Sequence, residues 1–155
     1  MAIVLCVAII SRKSVTRKSA NDCTLPGLKH NGMHRFRELE IWKKSIDFCS
    51  VLYHETENIP ASERFGLTAQ IRRAAVSIPS NIAEGCSRNS ARDFSRFLEI
   101  AIGSAYEVET QLYIISKLNF IKDNVTENLV SKIHEIIKMT VKYKATIDSN
   151  LLPKA

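Results

Sequence analysis

Apolar residues recur at three- and four-residue steps in four stretches of the chain. No stretch shows the two-residue alternation of a half-buried strand. In the first stretch, residues 37–57, Leu39, Trp42, Ile46, Cys49, Leu52 or Tyr53 and Thr56 share one stripe. Asn58-Ile59-Pro60 closes it, because the residue before a proline is pushed out of the helical region. The second stretch starts near Ser62 as N-cap and carries Leu67, Ile71, Ala74 or Ala75, Ile78 and Ile82. Pro79 lies inside it, and the stripe stays in phase across the proline. A helix kinked at Pro79 and closed by Gly85 in a left-handed C-terminal position is therefore expected. Ser90 followed by Asp93 caps the third stretch, in which Phe94, Phe97, Leu98, Ala101, Ala105, Val108, Leu112, Ile115 and Leu118 repeat. Gly103 interrupts it among small residues, which predicts a close helix–helix approach. The fourth starts at Asn124, boxed with Glu127, and carries Leu129, Ile133, Ile136, Ile137, Thr140, Lys144 and Ile147. Four long amphipathic helices with short connections predict an all-α, antiparallel up-down four-helix bundle over residues 33–150, with 151–155 as a tail.

Charge alters this picture at the start of the chain. The formal net charge is +6 over 155 residues, but residues 1–33 hold Arg12, Lys13, Arg17, Lys18 and Lys29 against Asp22 alone. Residues 1–32 read as a flexible basic leader outside the fold. Ala2 to Ile10 is apolar, but its cations follow the run instead of preceding it, the wrong order for export. Nine residues are also too few to span a bilayer. Met33 directly precedes the first amphipathic stretch and is expected to be the natural start.

Candidate chemistry is sparse. Cys6, Cys23, Cys49 and Cys86 form no C-x-x-C pair, and reduced thiols in a cytoplasmic setting are expected. His30, His34, His54 and His134 are isolated, with no Glu-x-x-His or His-Glu-x-x-His spacing. Phosphate-binding glycine loops and nucleophile elbows are missing as well, so neither enzyme chemistry, nor a cofactor, nor a metal is expected. The distinctive charges are arginines. Arg64, Arg72, Arg73, Arg88, Arg92 and Arg96 fill a stretch without lysine, and Arg88, Arg92 and Arg96 are four apart. Guanidinium groups suit phosphate and carboxylate. Glu63, Glu84, Asp93 and Glu99 lie among them, leaving residues 63–99 at +2, six arginines against four acids. Two readings stay open: a solvated, salt-bridged face, or a surface for RNA, DNA or an acidic partner made by Arg72, Arg73, Arg88, Arg92 and Arg96. Asn81 and nearby hydroxyls are expected to satisfy backbone groups freed at Pro79.

The run Gln70-Ile-Arg-Arg-Ala-Ala-Val-Ser-Ile-Pro-Ser-Asn-Ile-Ala-Glu-Gly85 resembles a family of four-helix bundle proteins encoded by intervening sequences in bacterial 23S ribosomal RNA genes. The segments Phe36-Arg-Glu-Leu-Glu-Ile-Trp42 and Asp93-Phe-Ser-Arg-Phe-Leu-Glu-Ile-Ala-Ile-Gly-Ser-Ala-Tyr-Glu107 support it, over about residues 34–148. The leader has no counterpart in that family. Gln70, Pro79, Asn81, Glu84, Gly85 and Gly103 belong to the matching segments and are expected to be structural. The resemblance implies a bundle that assembles into a ring-shaped homopentamer. It is also similar to the accessory variability proteins of diversity-generating retroelements, basic pentamers that bind nucleic acid and a reverse transcriptase. The function this implies is a non-enzymatic oligomeric binding protein that contacts RNA or a nucleoprotein partner. The alternative is a scaffolding oligomer that binds a protein without nucleic acid.

Overall fold

The computed structural model describes residues 35–151, and within them all regular structure is helical. The expectations for residues 1–32, for Met33, for Cys6, Cys23, His30 and His34, and for the tail beyond Leu151 lie outside the described residues. The helices are α1 (Glu40–Glu55), α2 (Leu67–Cys86), α3 (Ala91–Lys117) and α4 (Asp123–Ser149), with short 3-10 turns at Phe36–Glu38 and Ala61–Glu63. α1 packs on α2 and α4, α3 packs on the same two, and the backbones of the diagonal pairs stay farther apart. Several side-chain bonds cross between neighbours. Cys49 meets Ala75, and Thr56 meets Arg72, between α1 and α2. Ser77 meets Ser104 between α2 and α3. Ser116 meets Asp123 where the chain passes from α3 into α4, and Glu109 meets His134 and Ser95 meets Asp148 farther along that pair.

The core is aliphatic. Leu52, Ile71, Ile78, Ile82, Leu98, Leu112, Ile115, Leu129 and Ile133 are almost fully enclosed. Each such side chain contributes about 1.5–3 kcal/mol relative to an exposed one. The stripes predicted for the last three helices coincide with the buried residues, apart from part-buried Leu67, Phe97 and Lys144 and half-exposed Leu118. In α1 the stripe is rotated: Ile41, Ser45, Phe48 and Leu52 face inward, and Ile46 faces out. Ser45 tolerates burial because its Oγ donates to the Ile41 carbonyl at 2.5 Å. Trp42 sits at the edge, against the Phe36 ring with centroids 5.2 Å apart.

The helix ends differ from the expectations in two places. Ser62 does not cap α2; a Glu63 carboxylate oxygen accepts the Leu67 N–H at 3.2 Å instead. Nor does Asn124 box with Glu127, because α4 already begins at Asp123 and Lys122 occupies its N-cap position without a side-chain bond. The Ser90 cap is present: its Oγ accepts the Asp93 N–H at 3.0 Å and donates to the Asp93 carboxylate at 2.6 Å. α3 ends at Lys117, and two residues on lies Asn119, among the described residues the one non-glycine with a left-handed φ, 57°. The Phe120 N–H reaches the Ile115 carbonyl and the Asn119 N–H that of Ser116, which ties off the last free carbonyls.

Candidate interaction surfaces

Pro79 lies within a continuous α2, neither breaking it nor ending it. Having no N–H, it leaves the Ala75 carbonyl, four residues earlier, without its helical donor. The Cys49 thiol of α1 donates to that carbonyl at 3.2 Å. Burial pushes this thiol up to about 11, so it stays protonated and able to donate. Asn81 does bond backwards, giving its amide N–H to the Ser77 carbonyl at 2.8 Å and to Ser77 Oγ at 2.9 Å. It does not serve the carbonyl that the proline frees. That donor comes from another helix, which sequence reasoning about the local segment missed.

The roles expected of the two glycines change places. Gly85 is helical and buried, with no left-handed backbone. A Cβ there would lie 2.7 Å from the Phe94 ring and 2.8 Å from Phe97 Cβ, so Gly85 marks the close approach of α2 to α3. Gly103 is exposed, and a Cβ added to it meets nothing within 4 Å. Gln70 is exposed too, and its side chain bonds to none of the described residues. Glu84 is exposed and pairs with Arg88.

The five candidate arginines do not form one patch. Arg73 and Arg88 are separated by about 22 Å of helical rise. Arg72 is already committed: its Nε donates to Thr56 Oγ1 at 2.9 Å and a terminal nitrogen donates to the Tyr53 carbonyl at 3.1 Å. Its guanidinium also lies 4.7 Å from the Tyr53 ring centroid. Arg72 therefore clamps the end of α1, where carbonyls lack helical partners. Arg88 bonds Glu84 and lies over the Phe97 ring at 4.6 Å. Arg73, Arg92 and Arg96 are exposed and make no ion pair among the described residues. Arg92 and Arg96 share one face of α3.

Farther along that face the structure shows a feature absent from the sequence reading. Ile100, Tyr106, Tyr113 and Ile114 of α3 and Leu118 at its C-cap are each 44–53% exposed. The signal was present, since these positions are apolar yet, apart from Leu118, fall off the buried stripe. Beneath Tyr113 and Ile114 a shallow depression is lined by Thr110, Lys117 and Leu118. Among the described residues no group of three His, Cys, Asp or Glu side chains is placed to hold a metal, and no helix is long and apolar enough to cross a membrane.

Comparison with known proteins bears on the fold and its kinship. No curated protein is matched. A solved structure from Bacteroides thetaiotaomicron, described as a protein of unknown function from the S23 ribosomal protein family, superposes with a TM-score of 0.63 at 25% identity. That likeness covers 68% of this chain and 95% of the other. The family model of the 23S rRNA-intervening sequence protein matches residues 37–142, which span α1 to most of α4 and include all five arginines. The chain belongs to the 23S rRNA-intervening sequence protein family.

Proposed function

We propose that this bundle is a non-enzymatic binding protein working as the subunit of a cytoplasmic homo-oligomer, with the outer face of α3 as the seam between subunits. The observation that carries this reading is the row of Ile100, Tyr106, Tyr113, Ile114 and Leu118 on one helix, half-exposed around Gly103. Large apolar side chains grouped on one face mark association surfaces, whereas single ones do not. Gly103 leaves room there for a neighbouring backbone. The subunit is an antiparallel up-down bundle, a reading supported by cross-helix pairs whose numbers rise on one helix as they fall on the next. The ring of five that the family resemblance implies needs such a seam.

Native mass spectrometry tests this. The expected mass is a multiple of the 17.5 kDa chain, five copies for the ring. The Tyr113→Lys, Ile114→Lys double variant should run as a folded monomer with unchanged helical circular dichroism. A wild-type chain that is monomeric at micromolar concentration overturns the proposal.

A second reading concerns the partner. Arg92 and Arg96, with no acid of their own, favour an acidic ligand such as RNA over a purely apolar protein surface.

A further inference from the structure

The described residues are close to neutral, sixteen Lys and Arg against fifteen Asp and Glu, but their charge is not evenly spread. Cutting each helix near its middle sorts the chain into two poles. The pole made of residues 35–47, 77–104 and 137–151 holds ten cations against seven acids, a balance of +3. The opposite pole, residues 48–76 and 105–136, holds six cations against eight acids, a balance of −2. Each pole is gathered from segments far apart in the chain, which is why a running sum along the sequence conceals them.

At the basic pole, Arg35 pairs with Glu38, Lys43 with Glu40, Arg88 with Glu84 and Lys144 with Asp148. Lys44 reaches across the cut to Glu135, and Arg37, Arg92, Arg96, Lys138 and Lys142 have no ion pair among the described residues, against likewise unpaired Asp47, Asp93 and Glu99. Two of the pole's guanidinium groups lie on aromatic rings: Arg37 over Phe36 at 5.7 Å and Arg88 over Phe97 at 4.6 Å. A guanidinium is planar, and its face can stack on a further ring. Bases of a single strand can use such a face, whereas an acidic peptide offers only its carboxylates.

Cyclic symmetry brings equivalent ends of all subunits to one rim. We propose that the pole carrying Arg37, Arg88, Arg92 and Arg96 docks a single-stranded nucleic acid, which runs along one rim of the assembly and touches several subunits. This rests on the oligomeric reading above for its rim and on the charge sorting alone for its pole. A single pole is weak; successive contacts by one strand add through effective concentration. Affinity should therefore climb with strand length, and each ring should hold one long strand instead of one per subunit.

The test is binding of oligouridine RNA of graded length, from about 5 to about 40 nucleotides, to the full chain at low salt. Binding to the longest strand should weaken at least about tenfold in the Arg92→Gln, Arg96→Gln variant and in rising salt. It should stay within about twofold in Arg73→Gln, which removes an equally exposed arginine outside the basic pole. Equal losses from both variants, binding of poly-glutamate as tight as RNA, or no RNA binding would each overturn the pole. A native mass of one chain in the same samples, with binding independent of length but still sensitive to Arg92 and Arg96, would overturn the rim and leave the pole standing.

Discussion

A proline within a helix leaves one carbonyl unpaired, and a buried carbonyl without a donor costs about 1–3 kcal/mol. In this protein a cysteine on the next helix meets that need, since Cys49 Sγ reaches the Ala75 carbonyl. Cys49→Ala should lower the unfolding free energy by about 1 kcal/mol or more, and Cys49→Ser, which keeps a donor, by clearly less. Urea unfolding measures both; equal losses would mean that the thiol contributes only packing. At this scale the sequence was partly legible. Pro79 announced a free carbonyl, but which side chain would serve it depended on a contact between residues 26 apart. The arginines show the same limit. Their type was evident, but Arg72 is consumed by Thr56 and Tyr53, and only the packing of α1 on α2 reveals that.

Among the helices, the order and the buried stripes followed from periodicity because three of the four carry a continuous aliphatic row. α1 was misphased since Ser45 and Trp42 exchange the places their polarity suggests, Ser45 inside and Trp42 at the edge. Within one subunit both glycines depart from the roles their spacing suggests, because a glycine signals room without saying what fills it. Gly85→Ala should destabilise the bundle by about 1–3 kcal/mol through its clash with Phe94 and Phe97. Gly103→Ala should leave the isolated subunit as stable or stabilise it by up to about 1 kcal/mol. Thermal melts of a monomeric background variant compare the two, and a loss at Gly103 equal to that at Gly85 would refute this assignment. The α3–α4 contact also responds to acid. The Asp148 carboxyl is held below its ordinary range, first by the Ser95 hydroxyl at 2.5 Å and then by Lys144 at 2.9 Å. A depressed carboxylate stabilises the fold above its unfolded pKa of about 3.9 and loses that contribution as pH falls through the folded value. Asp148→Asn should therefore lower the melting temperature at neutral pH, and its gap to the wild type should close in strong acid. A gap of the same size at every pH would assign the effect to shape alone.

For the whole molecule, fold and family were legible from spacing and from the run around Pro79, whereas the surfaces were not. A helical repeat identifies which residues enter a core, but the outer faces acquire meaning only once the helices are laid side by side. The apolar row on α3 and the two charged poles both arise at that step. The basic pole has a practical side. The described chain enters the bundle beside it, at Arg35, and leaves beside it, at Leu151. A reporter or affinity handle joined directly before Arg35 or directly after Leu151 will crowd Arg92 and Arg96 and blunt the binding it was added to measure. Exposed Glu57 and Asn58, between α1 and α2, sit at the far pole. A label inserted there leaves the arginines open to solvent.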